Sequence, residues 1–450
     1  MRLEFYTFHL MPFPYIPPGE ELESAWITLP NSQYDPAAGH RLYREYLEQM
    51  VFAEQLGYDG ILVNEHHQNA YAVQPAPNLW AAYLTARTSR IRIGVLGNAL
   101  PLHRSPLRVA EEIAMLDVLS GGRIVSGHVR AMGAEYISAG VDPSTSKARF
   151  WEAHDLIVKA WTEPGPFAWE GEHFQFAHVN PWPRPLQQPH PPIWIPGSSS
   201  QETIDETARR RIPFMLTPIS NQASKHAFSL YYRLAEEKYG YTPDPRQLGR
   251  LVHTHVAETD EQAHREAKAH ILWFFRNGLK IPRHHLVPPG YSPAAAILAM
   301  MTKQREVGAK PFWELSYEEL CDNGYCIVGS PDTVIERYTQ MVEDFRIGMV
   351  MSAGGHIGSM PDWLVRKNMQ IFAEEVMPHF REPDGKPFWA RADRPHPQTA
   401  AEVSARTPAP SLRPRALLEG ETYLDCLTGH VVDPVDPAAE LSGQETVSSS

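Results

Sequence analysis

The sequence predicts an α/β fold: a (β/α)8 TIM barrel with insertions and an extended C-terminal tail. Eight short apolar runs alternate with segments of helical periodicity over about the first 380 residues, and this alternation is typical of parallel strands joined by helices. Polar side chains follow the run at residues 61–63, in the order Asn64, Glu65, His66 and His67, and the last three are titratable. Because the carboxyl ends of barrel strands carry the chemistry, polar residues are expected at this position.

Strands are predicted from apolar runs bounded by turn residues, and helices from apolar residues at helical spacing. The predicted strands are residues 3–8, 61–63, 91–97, 123–127, 193–196, 214–218, 251–257 and 347–352. The predicted helices are residues 40–56, 79–88, 106–120, 147–161, 201–211, 221–239, 261–275, 331–345 and 361–377. Proline in the first turn and glycine after the last residue mark helix boundaries, as at Pro106 and Gly121. A hairpin is predicted at residues 167–179, with its turn at Glu170 and Gly171.

Three stretches depart from this alternation. Residues 11–36 are rich in proline and follow the first strand, so this first insertion is expected to cover the site on the side of His66. Residues 277–323 are irregular and too long for a simple connection, which predicts a lid. Residues 381–450 lack apolar periodicity and are predicted to be a Pro-rich extended tail, part of which lies over the barrel or a neighbouring subunit. The predicted domains are therefore a barrel over residues 1–380, with a lid at about 277–323, and a tail.

Composition limits the partners of the chain. The 450 residues are 43% hydrophobic, carry a net charge of -12 and contain no block of Lys and Arg, so neither nucleic acid nor a membrane surface is an expected partner and a small-molecule substrate is. The sequence contains neither a signal peptide nor a long apolar stretch, which predicts a cytoplasmic protein. The three cysteines, Cys321, Cys326 and Cys426, are assigned no chemistry, and no metal site is predicted.

His66 is the first candidate for a catalytic residue, because Glu65, His66 and His67 are contiguous at a strand end. The small residues 197–200 before a predicted helix would suit a phosphate group, although serines there more often only cap the helix. His253 and His255 have a spacing that metal sites use, but no set of carboxylates accompanies them at other strand ends. A metal-dependent hydrolase is therefore a weak alternative that a zinc analysis would test.

Several motifs together resemble the bacterial luciferase family of flavin-dependent monooxygenases over about residues 1–380. They are VNEHH after the second strand, IGVLGNALPLHRSPLRVAEEIAMLDVLSGGR, the strand and Gly-Ser-Ser turn, and VGSPDTVIERY followed by EEVMPHF. The resemblance implies a (β/α)8 barrel that binds reduced FMN supplied by a separate flavin reductase. The reduced FMN would react with O2 to form a C(4a)-peroxyflavin. The resemblance also implies a homodimer packed through the second and third helices. Small residues there would independently permit close packing: Ala81, Ala82, Ala86, Ala110 and Ala114.

The resemblance extends to individual positions. His66 matches the catalytic histidine, and Glu65 and His67 beside it are expected to contact the cofactor. Leu96 and Gly97 fall where the family bends its third strand beneath the flavin, often through a non-proline cis peptide, and Asn98 follows as a ring contact. Arg130 matches an arginine near the phosphate. The phosphate-binding turn is matched by Gly197, Ser198, Ser199 and Thr203.

Two positions depart from the family pattern and leave the substrate open. Val129 stands where luciferases carry a reactive cysteine, and Ser198 replaces an acidic residue, so neither light emission nor aldehyde use is inferred. No cluster of Arg or Lys marks a sulfonate specialist, which favours an uncharged organic substrate. Two alternatives remain: a deazaflavin-dependent dehydrogenase of the same barrel family, and a non-catalytic flavin-binding subunit, against which the presence of His66 argues.

Overall fold

The computed structural model describes residues 3–18, 21–294, 297–298 and 310–381, together with residues 423–424 and 431–432. Eight parallel strands close into a barrel, as predicted. The barrel strands are β1 (Glu4–Phe8), β2 (Gly60–Val63), β3 (Arg92–Ala99), β4 (Ile124–Val129), β5 (Ile193–Gly197), β6 (Phe214–Leu216), β7 (Leu248–Leu251) and β8 (Met349–Met351). Each strand pairs with the next in this order, and β8 pairs with β1.

Helices lie at all nine predicted positions, and within the described residues the structure adds three short helices that were not predicted. The helices are α1 (Pro36–Gln55), α2 (Pro77–Arg87), α3 (Pro106–Ser120), α4 (Gly133–Ala139), α5 (Ser146–Thr162), α6 (Gln201–Arg210), α7 (Asn221–Arg233), α8 (Asp260–Trp273), α9 (Arg283–Leu286), α10 (Tyr317–Asp322), α11 (Pro331–Phe345) and α12 (Asp362–Ile371). Single π-turns extend three of them at Leu234–Lys238, Phe274–Gly278 and Phe372–Val376. The predicted hairpin consists of Phe167–Glu170 and Gln175–Val179, so Gly171 lies in the turn and Glu170 ends the first strand.

Local sequence signals explain the helix boundaries. Asp35 accepts a hydrogen bond from the backbone N–H of Ala37, 2.9 Å away, and Pro36 occupies the first position, so α1 begins before the predicted residue 40. Gly121 ends α3 in the left-handed conformation, with φ of 70°. These caps satisfy backbone groups that a helix leaves without partners at its ends.

The seventh strand was predicted incorrectly. It was placed at residues 251–257, whereas the barrel strand is β7, and His253–Val256 instead pairs with Cys326–Gly329 outside the barrel. Arg250 explains the error, because this charged residue interrupts the apolar run and yet is only 1% exposed. Its guanidinium donates hydrogen bonds to the Asn221 side chain at 2.8 Å and to the Gly324 carbonyl at 2.7 Å, which makes burial of the charge tolerable.

A second correction concerns the alanines of α2 and α3. Ala81, Ala110 and Ala114 are each 0% exposed and pack inside their own chain. Close packing there joins the two helices to the barrel, so these methyl groups are not available to a partner subunit. Ala82 is half-buried and Ala86 is exposed.

The first insertion and the start of the lid segment (residues 277–323) are tied together. The Trp26 indole N–H donates to the Gly278 carbonyl at 2.7 Å, and the Ser24 hydroxyl donates to the Lys280 carbonyl at 2.7 Å. The lid segment is less irregular than predicted, because it contains α9 and α10. Ser316 begins α10 with a capping box that was present in the sequence and overlooked.

Arg381 follows the last helical turn of the barrel, and its guanidinium contacts the Asp59 carboxylate at 3.1 Å.

The chain divides into two compact units, Met1–Ala400 and Ala401–Ser450. Within the second unit, Tyr423–Leu424 pairs antiparallel with Val431–Val432. The rest of the predicted tail lies outside the described residues, and its role stays a prediction. In the described part of the chain, no helix is both long and apolar enough to cross a membrane.

Buried histidines predict that the fold loses stability in acid. His9 and His253 are 2% and 1% exposed, and burial lowers the pKa of each to about 4. Between pH of about 6.5 and about 4, each of these histidines is protonated in the unfolded chain but not in the folded one. Each is therefore expected to lower the free energy of unfolding by about 1.4 kcal/mol for every unit by which the pH falls in this window. Urea unfolding at a series of pH values measures this slope.

His253→Phe is the matched variant for this measurement. It should reduce the slope by about 1.4 kcal/mol per pH unit over the same window. A free energy of unfolding that stays constant from neutral pH to about 4.5 would contradict the prediction.

Candidate active site

His66 follows β2 at the carboxyl end of the barrel and is paired with a buried carboxylate. Its Nδ1–H donates to Glu135 Oε1 at 3.0 Å, and Glu135 is 2% exposed. The same carboxylate accepts from the backbone N–H of His67 at 3.2 Å and from that of Met132 at 2.8 Å. Because the Glu135 side chain already accepts from two backbone N–H groups, the contact favours donation from Nδ1 of His66 and leaves Nε2 outside this pair.

Glu65 organises a second carboxylate–imidazole cluster beside the first. Its carboxylate accepts from His67 Nε2 at 2.7 Å, from the backbone N–H of Ala99 at 2.9 Å and from His103 Nε2 at 3.3 Å. Burial by itself raises the pKa of Glu65, but the hydrogen bonds from His103, His67 and Ala99 outweigh it and bring the pKa to about 2. The pKa of His67 is raised because it donates to Glu65. The cluster therefore favours a negative charge on Glu65 and the protonated form of His67.

Aromatic rings enclose His66. The Trp26 and Tyr71 rings each lie 5.2 Å from the His66 ring in edge-to-face geometry, and they stack on each other at 4.8 Å. Trp26 belongs to the first insertion, so this loop lies against His66 as expected; that it covers an active site stays a prediction. Such rings keep water from one face of the imidazole.

The third strand bends where it was expected to. The Leu96–Gly97 peptide bond is cis, and the pairing of β3 with β4 shifts register between Val95 and Asn98. A Cβ on Gly97 would lie 2.4 Å from the Gly127 carbonyl oxygen, so only glycine permits the two backbones to approach this closely. Asn98 is 1% exposed, and its side-chain oxygen accepts from Asn78 at 3.0 Å.

Arg130 follows β4, and the turn from Gly197 to Ser200 follows β5, the neighbouring strand of the barrel. The Arg130 guanidinium lies over the ring of Tyr291, 4.0 Å from its centroid. Ser198 and Ser199 are exposed, and Thr203 is half-buried in the first turn of α6. Both groups lie at the carboxyl end of the barrel, but no described contact joins Arg130 to the serines.

Sequence reasoning missed five residues of this site: Trp26, Tyr71, His103, Glu135 and Tyr291. The signal for Glu135 was weak, since it lies on a seven-residue helix that was not predicted. His103 follows β3 by only a few residues, so the rule that polar residues after strands line the site would have found it. Trp26 lies in the first insertion and Tyr291 in the lid segment. Neither stretch has a hydrophobic periodicity from which the orientation of its side chains could be predicted.

The alternative metal pair does not form a common cluster. His253 Nδ1 contacts the Ser352 hydroxyl at 3.3 Å, whereas His255 Nε2 contacts the Glu266 carboxylate at 3.1 Å. Within the described residues, no group of three or more His, Cys, Asp or Glu side chains is arranged so that it could hold a metal ion.

A parallel barrel with histidines and buried carboxylates at the carboxyl ends of its strands is the architecture of a TIM-barrel enzyme. The chain belongs to the luciferase-like monooxygenase family, whose sequence profile matches residues 22–346. The resemblance identified from sequence motifs is thereby confirmed.

Two relatives align over most of the chain. The oxygenase component of the flavin-dependent trigonelline monooxygenase of Acinetobacter baylyi is 26% identical over 377 residues, which cover 82% of this chain and 96% of that protein. The alkanal monooxygenase alpha chain of Photobacterium leiognathi is 26% identical over 360 residues, 78% of this chain and 98% of that one. A shorter match, to the uncharacterized protein y4wF of Sinorhizobium fredii, is 37% identical over 161 residues, so it spans 35% of this chain and 46% of that protein.

Solved structures share the fold. The oxygenating constituent of 3,6-diketocamphane monooxygenase from Pseudomonas putida, solved in complex with FMN, gives a TM-score of 0.61 at 20% identity and covers 84% of this chain and 98% of that one. An F420-dependent secondary alcohol dehydrogenase gives a TM-score of 0.60 at 17% identity, with 85% and 100% covered. The barrel alone therefore does not distinguish flavin from deazaflavin chemistry.

Proposed function

We propose that this protein is a monooxygenase that uses reduced FMN and O2 to oxygenate a small, uncharged organic substrate. The observation that carries the proposal is His66, held by the buried Glu135 at the carboxyl end of β2 in a member of the luciferase-like monooxygenase family. An imidazole with one nitrogen held by a hydrogen bond and the other available is suited to general acid–base catalysis.

The residues at the carboxyl rim fit the phosphate of FMN. Ser200 precedes α6 without forming a side-chain cap, whereas Ser220 and Ser330 do cap their helices. The first amides of α6 are therefore not occupied by Ser200, and helix amino termini favour phosphate. In the described part of the chain, no carboxylate forms an ion pair with Arg130, which leaves its charge for an anionic ligand.

Bound FMN would supply the electrons that activate O2. The chain itself would bind the phosphate through Arg130, hold His66 in one tautomer through Glu135, and exclude water through Trp26 and Tyr71. His67, whose pKa is raised by its hydrogen bond to Glu65, would in its protonated form stabilise negative charge that develops nearby. Substrate selectivity would then come from apolar and aromatic surfaces around these groups.

We propose a flavin reductase and a second copy of the chain as partners. A relative named as an oxygenase component supports the reductase. Exposed apolar side chains on the neighbouring helices α2 and α3 support a homodimer, since Leu79 is 72%, Tyr83 53%, Met115 48% and Leu119 59% exposed. Patches of this kind on a soluble protein usually mark an interface.

Anaerobic titration tests the cofactor. The protein is titrated with reduced FMN or with reduced F420, and oxygen and candidate substrates are then added. The proposal expects tight binding of reduced FMN and oxygen-dependent product after oxygen is admitted. Hydride transfer with F420 in the absence of oxygen, without any product from FMN, would overturn it in favour of a deazaflavin-dependent dehydrogenase.

Arg130→Ala is expected to weaken FMN binding by roughly tenfold or more, because a charge-assisted hydrogen bond contributes about 1.5 to 3 kcal/mol. Riboflavin lacks the phosphate, so its affinity should barely change. Fluorescence titration of both flavins measures the difference, with Arg130→Lys as a variant that keeps the charge. Equal losses for FMN and riboflavin would place Arg130 away from the phosphate.

A further inference from the structure

Two of the three cysteines lie together outside the candidate active site. Cys321 is near the end of α10 and Cys326 begins the strand Cys326–Gly329, and their Sγ atoms are 3.7 Å apart. Both are free thiols. Because a disulfide bond is about 2.05 Å long, a relative shift of roughly 1.7 Å would bring the sulfurs to bonding distance.

Both thiols line a cleft of about 360 Å³ to which α7, α8, α10 and α11 contribute residues. His264 and Arg337 line it as well, and no residue of the two carboxylate–imidazole clusters does. Cys326 is only 2% exposed, whereas Cys321 is partly exposed. A small oxidant that enters the cleft therefore meets Cys321 first.

Hydrogen bonds give the two sulfurs different roles. The hydrogen bond from Cys326 lowers the pKa of the Cys321 thiol, and the Tyr317 hydroxyl lowers it further, against burial and the charges of Asp322 and Glu318. The contact with Cys321, together with burial, raises the pKa of Cys326. His264 Nδ1 lies 2.7 Å from the Tyr317 oxygen, and its Nδ1–H tautomer would orient the hydroxyl hydrogen towards Cys321. Cys321 is thus suited to be the attacking thiolate, since the thiolate is the nucleophile.

We propose that Cys321 and Cys326 form a peroxide-reactive dithiol that closes reversibly to an intramolecular disulfide. The Cys321 thiolate attacks one oxygen of hydrogen peroxide, the O–O bond breaks, and the departing hydroxide takes a proton to become water, which leaves a sulfenic acid on Cys321. The Cys326 sulfur then loses its proton and attacks the Cys321 sulfur, the S–O bond breaks, and a second water leaves. Two thiols lose two electrons in total, and one peroxide is reduced to two waters.

Peptide mapping of the full-length protein tests this directly. The protein is treated with hydrogen peroxide, its remaining thiols are alkylated, and its peptides are analysed by mass spectrometry. The expected product is a disulfide between Cys321 and Cys326 that dithiothreitol reverses. Since peroxide is added, the result does not depend on the monooxygenase activity, and the measurement on the unsubstituted protein needs no variant to fold.

Variants assign the two roles. In Cys326→Ser, dimedone should trap a sulfenic acid on Cys321, whereas in Cys321→Ser no adduct should form on Cys326. Tyr317→Phe should slow oxidation of Cys321 by roughly two- to tenfold, the effect of one lost hydrogen bond. Trapping on Cys326 rather than Cys321 would overturn the assignment of roles.

Cys426→Ser is the matched control, because Cys426 lies outside the described residues and takes no part in the proposal. This variant should form the disulfide at the same rate as the unsubstituted protein. A disulfide between Cys426 and either of the other two, or complete alkylation of Cys321 and Cys326 after peroxide treatment, would overturn the proposal.

Discussion

Replacing His66 with alanine is expected to leave FMN binding intact and to lower the rate of product formation by about 10² to 10⁴, the usual contribution of general acid–base catalysis. Glu135 occupies Nδ1 of His66, so Nε2 is the atom that would give or take the proton in the reaction. The measurement is single-turnover product formation with pre-reduced FMN, beside a flavin titration of the same variant.

Glu135→Gln separates the effect of the carboxylate charge on His66 from the effect of side-chain size. The amide keeps the size of the side chain but lacks the carboxylate charge, so the variant should slow the reaction less than His66→Ala and shift its pH profile. In the double variant the loss should equal that of His66→Ala alone, because Glu135 acts through His66. Turnover of the true substrate within a few-fold of the parent in His66→Ala would show that the assignment is wrong.

The two members of this pair differ in how far the sequence reveals them. His66 directly follows an apolar strand, and in a parallel barrel that position alone places a side chain at the carboxyl rim. Glu135 lies 69 residues further along the chain, on a helix too short for apolar periodicity to identify. Its role depends on a tertiary contact, which local patterns do not encode.

The barrel was predictable for a related reason, and its prediction failed at the seventh strand. Seven of the eight predicted strands share three or more residues with a barrel strand, because buried parallel strands read as apolar runs, whereas the prediction at residues 251–257 shares only Leu251 with β7. The seventh was displaced because Arg250 stands inside β7, where hydrogen bonds to Asn221, Ile219 and Gly324 make a buried guanidinium acceptable. Those partners come from other parts of the chain, so the sequence around Arg250 favours a loop.

Described contacts place the lid segment against the candidate phosphate site. The Tyr291 ring covers Arg130, and its hydroxyl donates to the Ala131 carbonyl at 2.8 Å. A Cβ on Gly133 would lie 2.3 Å from the Leu286 carbonyl oxygen, so the segment rests directly on the start of α4. Since α4 carries the Glu135 that holds His66, the segment lies over both the binding and the catalytic residues of the proposed site.

Deleting residues 283–303 is expected to leave the barrel folded, because this range contains no barrel strand; of these residues, 295–296 and 299–303 lie outside the described part of the chain. Reduction of flavin by the partner reductase should be unaffected. When water reaches the activated oxygen in the site, that oxygen decays to hydrogen peroxide. Loss of the lid segment should therefore lower the ratio of product formed to oxygen consumed by about tenfold or more. Oxygen consumption, peroxide release and product are measured together.

Tyr291→Ala and Tyr291→Phe refine this test. The Tyr291→Phe variant keeps a ring over Arg130 and loses only the hydrogen bond to Ala131. It should therefore form more product per oxygen consumed than the Tyr291→Ala variant. Limited proteolysis should cut the segment first in the free protein and more slowly once flavin and substrate are bound, because closure lowers the population of open states. A deletion variant that couples oxygen to product as tightly as the parent would show that the segment is not the lid. The cover would then be the first insertion, which already places Trp26 against His66.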